Sequence, residues 1–116
     1  MAIVNAVEVQ SLGGVLLVPV DDRDILGHLV VHQSVRSADT WTVTHIATGL
    51  AVLSGLSSRD AAWLLAAELE RAADWSKATS AGFPSGTLSA RARRRISVLR
   101  RSMGAQATLP SAGFVL

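Results

Sequence analysis

The densest group of side chains that could do chemistry is an arginine run late in the chain. Residues 91–101 read RARRRISVLRR and hold six arginines and no acid. On a helix these guanidinium groups extend over about 15 Å, which suits contact with successive backbone phosphates. Arginine also forms bidentate pairs with phosphate and carboxylate groups. We therefore predict that nucleic acid or an acidic protein surface binds to Arg91, Arg93, Arg94, Arg95, Arg100 and Arg101. The alternative is a solvated helix face without a partner.

The apolar residues of the same segment follow a helical period. They recur every three or four positions, which predicts a helix near 88–103 with one apolar stripe, formed by Leu88, Ala92, Ile96, Leu99 and Met103. Four arginines fall opposite this stripe, and Arg91 and Arg95 flank it. Because the segment carries no Asn or Gln, we expect it to contact phosphates rather than to read base edges.

Metal or catalytic chemistry would have to use the histidines and the DDRD segment at 21–24. His28 and His32 on one strand face would have Cα atoms about 13 Å apart, which is too far for one tetrahedral ion. The sequence has no cysteine, no HExxH or GxSxG motif and no phosphate-loop spacing. His45 could pair with the hydroxyl of Thr44 or Thr48, but we expect it to pack at a hairpin with one ring nitrogen bonded locally. We predict no metal, no cofactor and no enzymatic activity.

Two residues of a second predicted helix, over 57–75, are candidates for a protein interface. Glu68 falls within the apolar face of that helix, where it either pairs with Arg71 three residues on or meets a cation across an interface. Trp63 points toward the polar side, and an exposed tryptophan there could be a binding hot spot. The alternative is that Trp63 packs under the C-terminal segment.

The first half of the chain has the alternation and turn residues of an antiparallel sheet. We predict a first hairpin with strands near 2–9 and 14–19 and a third strand over 25–35. In that strand Leu29, Val31 and Val35 share one face, and His28, Val30 and His32 share the other. A second hairpin turns at Ala47-Thr48-Gly49 and pairs Ile46 with Leu50, His45 with Ala51 and Val43 with Leu53. Neither face of this hairpin is clearly polar, so we expect both sides of the sheet to be at least partly covered.

The segment 57–75 predicts a helix with Ser57 as its N-cap and Asp60 completing a capping box. Its inward stripe is Ala61, Leu65, Leu69 and Ala72. Residues 76–86 are rich in Ser, Gly, Pro and Ala and predict a loop. We divide the chain into a sheet-plus-helix core at 1–75, a linker at 76–87 and an Arg-rich helix and tail at 88–116, within a single domain.

The overall composition bears on the oligomeric state and the location of the protein. The 116 residues are 49% hydrophobic and only 17% charged, with a formal net charge of +2. A small domain has little room to bury this much apolar sequence, so we expect a homodimer. The apolar runs are far shorter than a membrane span, and the lack of cysteine fits a cytoplasmic location.

The stretch WTVTHIATGLAV followed by SSRDAAWLLAAELE resembles the hairpin-then-helix unit of small uncharacterised proteins from phages and other mobile elements. It also resembles the three-strands-plus-helix modules that precede some phage integrases. The resemblance implies a fold but no functional residue. We thus expect an α+β domain, with a mainly antiparallel sheet of about five strands, one helix packed on it and a second, Arg-rich helix. Its predicted function is to bind nucleic acid or a ribonucleoprotein. The alternative is a phage-type inhibitor or accessory factor, such as an anti-defence protein, that docks on a host protein through an apolar sheet face.

Overall fold

The computed structural model describes residues 4–11, 13–35, 39–77 and 89–102. Two short 3₁₀ helices, Asp22–Asp24 and Trp75–Lys77, lie between the larger elements. In chain order these larger elements are β1 (Val4–Ser11), β2 (Gly14–Asp21), β3 (Ile25–Leu26), β4 (Leu29–Gln33), β5 (Trp41–His45), β6 (Ala51–Leu56), α1 (Arg59–Ala72) and α2 (Ala90–Ser102).

The strands form two antiparallel sheets, so the α+β class predicted from the sequence is confirmed. β1 and β2 make a two-stranded hairpin, and the other four strands make a sheet in the order β3-β4-β5-β6. The sequence predicted about five strands in one sheet. The difference arises because the first hairpin forms a sheet of its own and because the predicted third strand is divided in two.

A turn at Gly27 and His28 divides that predicted third strand, which was therefore wrong as one element. Ile25 pairs with Val30 across this turn, and Gly27 has a φ of +63°. A positive φ at the first turn residue is typical of a type II′ hairpin, for which glycine is favoured. His28 thus lies in a turn and not beside His32 on a strand face. Val35, predicted to share the buried face, lies beyond β4 and is exposed.

The four-stranded sheet is covered on both faces, as the lack of a polar face predicted. On the helix side, Leu29 and Val31 of β4 join a large apolar cluster with α1 and α2. On the hairpin side, Val30 joins a small cluster with Val7, Val9 and Val20 of β1 and β2. Neighbouring strand residues point to opposite faces, so alternate residues of β4 serve the two clusters.

The β5–β6 hairpin keeps only part of the predicted register. Val43 pairs with Leu53 as expected, but irregularities on either side of Val43 bring Thr44, not His45, opposite Ala51. Gly49 has a φ of +72°, and its carbonyl accepts a 2.8 Å hydrogen bond from the backbone N–H of Gln10. The turn of this hairpin is therefore joined directly to β1.

Helix α1 begins one residue later than the sequence predicted. Ser58, not Ser57, is the N-cap, and its hydroxyl accepts a 3.0 Å hydrogen bond from the backbone N–H of Ala61. Asp60 therefore does not complete a capping box. Its negative charge still lies in the first turn, where it interacts favourably with the positive end of the helix dipole. The inward stripe is confirmed for three of its residues, since Ala61, Leu65 and Leu69 are buried, and Ala72 packs against the cluster from its edge.

Helix α2 packs against α1 at the side of the sheet. Ile96 is 1% exposed and belongs to the large apolar cluster, with Ala92 and Leu99 packed at its edge. Leu88, Met103, most of the predicted linker and the tail after 102 lie outside the described residues. Among the helices that the structure describes, none is both long and apolar enough to cross a bilayer.

Candidate nucleic-acid interface

The burial of Ile96 fixes which side of α2 faces solvent. Residues 94 and 101 lie roughly opposite position 96 on a helix of 3.6 residues per turn. Arg94 and Arg101 are both exposed, and they are two turns apart, which is about 10 Å along the axis. We call the side that carries these two residues the outer side of α2.

An open depression of about 630 Å³ runs along this outer side. Small and apolar side chains lie among its arginines. Its described lining is Ala90, Arg93, Arg94, Ser97, Val98 and Arg101. Arg93 is half-buried, and Arg101 donates from Nε to the backbone carbonyl of Ser97 at 3.5 Å. Arg100 lies in α2, but its side chain is outside the described part of the chain.

Arg95 has an acidic partner in its own chain. Its Nε donates to Oε2 of Glu68 at 3.1 Å, and its Nη2 donates to Oε1 at 3.3 Å. Arg71 donates from Nη2 to the same Oε1 at 2.6 Å. Glu68 therefore bridges the two helices. The predicted i, i+3 pair with Arg71 is confirmed, and the second cation comes from α2.

The electrostatics of this contact follow from its geometry. The hydrogen bond from Arg95, helped by the charge of Arg71, holds the pKa of Glu68 below its usual value. The same bond raises the pKa of Arg95. Arg71 and Arg95 remain 71% and 65% exposed, so solvent screens the attraction and each pair contributes little to stability.

The remaining arginines of α2 differ from Arg95. Arg91 is exposed on the flank of α2 that faces α1, where it lines a cleft together with Glu68 and Arg71. Within the described residues, neither Arg91 nor Arg94 forms a salt bridge with a carboxylate. Among the described side chains of the predicted arginine set, Arg95 forms a salt bridge with a carboxylate, while Arg91, Arg94 and Arg101 are exposed to solvent.

Trp63 is 41% exposed, which agrees with its predicted direction. Its Nε1 donates to the backbone carbonyl of Arg23 at 3.0 Å, which ties α1 to the short helix at 22–24. Arg59, one turn earlier, reaches the same short helix and bonds the buried carboxylate of Asp24 at 2.8 Å. Trp63 therefore has a structural contact in its own subunit, and its role in an interface stays a prediction.

His45 is buried and fully hydrogen-bonded. Its Nε2 lies 2.8 Å from the backbone carbonyl of Trp75, so this nitrogen carries the proton and donates. Its Nδ1 then accepts from the hydroxyl of Thr48 at 2.8 Å. The predicted local bond at one ring nitrogen is confirmed, while the bond to Trp75, 30 residues away, gave no signal in the sequence. Burial lowers the pKa of His45, so the ring is neutral at pH 7.

His32 forms a similar arrangement on the hairpin side of the sheet. Its Nδ1 donates to the carbonyl of Gln33 at 2.7 Å, and its Nε2 accepts from the hydroxyl of Thr44 at 2.7 Å. Burial lowers the pKa of His32 as well. Thr44 is completely buried. This histidine–hydroxyl pair has the atoms of a base and a nucleophile, but its oxygen lies where a substrate does not reach it.

His28, in the turn between β3 and β4, is bonded to Glu70 of α1. Its backbone N–H and its Nδ1 lie 3.1 and 3.2 Å from the two carboxylate oxygens of Glu70. Glu70 lies 42 residues further along the chain, and no spacing in the sequence pointed to this bond. The described residues contain no group of three or more His, Asp or Glu side chains that could hold a metal ion.

The sequence also did not assign Arg71 to the candidate interface. Its i, i+3 spacing from Glu68 was the available signal, but its distance in sequence from the arginine run kept the two apart. The structure brings Arg71 and Arg95 to one carboxylate.

No family model, curated protein or solved structure matches the chain. A proposal about its function therefore rests on the geometry described above.

Proposed function

We propose that this chain is a small non-enzymatic binding protein of the cytoplasm that contacts the phosphate backbone of nucleic acid, free or within a ribonucleoprotein. The observation that carries the proposal is the exposure of Arg94 and Arg101 on the outer side of α2, opposite the buried Ile96. The apolar contact of Ile96 holds the helix on the domain. The arginines therefore reach outward from a fixed surface.

The chemistry of this side favours phosphate over other partners. Guanidinium groups make bidentate contacts with phosphate oxygens, and neutralising several phosphates releases counterions. Ser97 and Val98 lie between the arginines and offer little for reading base edges, so binding is expected to be insensitive to sequence.

The test is a titration of random-sequence DNA and RNA at increasing salt, followed by fluorescence anisotropy. The variant Arg94→Ala with Arg101→Ala removes two outer cations without touching the Ile96 contact. Each lost phosphate contact lowers the slope of log affinity against log salt by about 0.9 on duplex DNA, so the double variant should lose about 1.8.

The matched control is Arg23→Ala with Lys77→Ala, which removes the same formal charge from two exposed sites outside α2. It should leave the slope nearly unchanged. Absence of binding at low salt, or equal losses in the two double variants, would overturn the proposal.

A second candidate function rests on a different surface. Val15, Leu16 and Leu17 of β2 are 53%, 45% and 71% exposed, an unusual run of apolar side chains in solvent. This run favours a phage-type protein-binding inhibitor or accessory factor, such as an anti-defence protein, or self-association as a homodimer. Trp63 adds a further exposed aromatic ring.

Sedimentation and affinity capture test this second candidate. Leu17→Ser, on the most exposed residue of the run, should convert a dimer to a monomer or abolish capture of one defined protein after nuclease treatment. A monomer at high concentration that captures no protein would remove both alternatives.

A further inference from the structure

We infer that the cleft between α1 and α2 is a second phosphate site, and that the Glu68 carboxylate fills it in the free protein. The charged residues that line this cleft are Glu68, Arg71, Arg91 and Arg95. This inference rests on the proposed function and extends it from α2 onto α1. On binding, a backbone phosphate takes the place of the Glu68 carboxylate beside Arg71 and Arg95.

The composition of the cleft carries the first step. It has a volume of about 310 Å³ and is lined by three arginines and by the carboxylate of Glu68. Arg71 and Arg95 both direct Nη2 at Oε1 of Glu68. A phosphate presents acceptor oxygens to the same donors and carries its own negative charge. The cleft therefore already holds an anion in the position that a phosphate would need.

The weakness of the internal contact carries the second step. Both guanidinium groups are more than half exposed, and solvent screens exposed pairs of this kind so strongly that they add little to stability. Exchange of one carboxylate for a phosphate thus costs little. Each guanidinium also has five N–H donors, so neither is saturated by Glu68.

The position of the cleft carries the third step. Arg91 and Arg95 belong to α2, as do Arg94 and Arg101 on the outer side. A strand bound along the outer side can reach the cleft by passing over the Arg91 flank. Glu68 then limits affinity, because it must be displaced before the last phosphate is neutralised.

The experiment compares Glu68→Gln with the wild-type protein in the same salt titration. The amide removes the competing charge and keeps the size of the side chain. We expect affinity at low salt to rise about threefold, because a phosphate no longer has to displace a carboxylate, while the salt slope stays near the wild-type value. Arg71→Ala should lower the slope by about 0.9, the loss of one phosphate contact, although Arg71 lies outside α2.

Glu8→Gln is the matched control, since it makes the same chemical change on the exposed face of β1. Equal effects of Glu68→Gln and Glu8→Gln would mean that only net charge matters and would overturn the inference. A gain by Glu68→Gln toward poly-glutamate but not toward DNA or RNA would also overturn it, because the cleft would then take acidic side chains.

Inorganic phosphate separates this inference from the proposed function. Titrated into Glu68→Gln, it should shift the NMR signals of the Arg71, Arg91 and Arg95 Nε–H groups, with or without any binding of nucleic acid. Unmoved signals would reject the cleft while leaving the outer side of α2 as a nucleic-acid surface. Shifted signals in a protein that binds no nucleic acid would reject the proposed function and keep the phosphate site.

Discussion

The helix side and the hairpin side of the four-stranded sheet are built differently. The helix side buries large side chains completely, among them Leu65, Leu69 and Trp75. The buried apolar residues of the hairpin side are all valines, and most of β2 remains exposed. The helix side also carries the arginines of α2, whereas no charged residue lies between Ser11 and Val20 in the hairpin.

Because of this difference, the arginine surface and the weakly packed part of the molecule belong to opposite sides of the sheet. The arginine-bearing helix is attached to the better-packed side, where its position is fixed by Ile96. The hairpin, which carries no charge from Ser11 to Val20, is attached to the weaker side, since a two-stranded sheet has little stability of its own. We therefore expect the charged surface to keep its shape and the hairpin to be the first part that opens.

The largest expected effect is on core packing. Leu65→Ala on the helix side should lower the free energy of unfolding by about 2–5 kcal/mol, because it removes a fully buried side chain and leaves a cavity. Val9→Ala on the hairpin side should cost about 1.5 kcal/mol, the loss of two buried methyl groups. Urea unfolding of both variants measures the difference. Equal costs would show that the two sides are packed alike.

A smaller effect is expected at the two turn glycines. An alanine Cβ at Gly49 would lie 2.7 Å from the backbone carbonyl oxygen of Glu8, which cannot move without shifting β1. At Gly27 the added Cβ meets the carboxylate of Glu70, whose side chain can turn away at the loss of its bonds to His28. Both positions have a positive φ, which costs alanine about 1–2 kcal/mol. Gly49→Ala should therefore be the more destabilising of the two in thermal unfolding.

That glycine comparison can be sharpened by hydrogen exchange. Gly49→Ala should raise exchange of the Gln10 amide, which bonds the Gly49 carbonyl, while Gly27→Ala should leave it protected. Unchanged exchange at Gln10 in both variants would contradict the view that the turn holds the hairpin in place.

The smallest effect is a pH dependence shared by the two sides. Burial lowers the folded-state pKa of His45 on the helix side and of His32 on the hairpin side. The unfolded chain therefore takes up protons that the folded chain does not as pH falls below about 6.5. Stability should be full above that pH and decline below it, by at most about 1.4 kcal/mol per pH unit for each histidine.

Unfolding of His45→Gln and His32→Gln between pH 7.5 and 5, values chosen to bracket about 6.5, measures each contribution. Each variant should show a shallower decline than the wild-type protein. The low pKa of Glu68 acts in a separate window, because its contribution is lost only as pH falls below the usual glutamate value. A wild-type protein whose stability is flat down to pH 5 would contradict burial of the two neutral rings.

The sequence predicted those parts of the fold that local patterns determine. Alternating and helical periods located α1, α2 and both hairpins, and the glycine after Thr48 located a turn. The turn at Gly27 was missed because a single glycine between Leu26 and Leu29 interrupts an apolar run only briefly. The cap was misplaced by one residue because Ser57 and Ser58 offer the same hydroxyl.

For the candidate site, the sequence predicted the arginine set and the pair of Glu68 with Arg71. The sequence could not predict which arginine of α2 forms a salt bridge with Glu68 of α1. That contact depends on how the two helices, which are far apart in sequence, pack together. The same holds for Trp75, whose carbonyl accepts from His45 and whose Nε1 donates to Leu69. Contacts of this kind carry no periodic signal.

The burial of Ile96 has a consequence for synthesis on the ribosome. Translation proceeds from the N-terminus, so the sheet and α1 emerge while the residue that completes their apolar cluster is still inside the exit tunnel. Until α2 emerges, the nascent chain exposes the apolar surface that Ile96 later covers. Emergence and packing of α2 cover that surface and present the arginines in the same event.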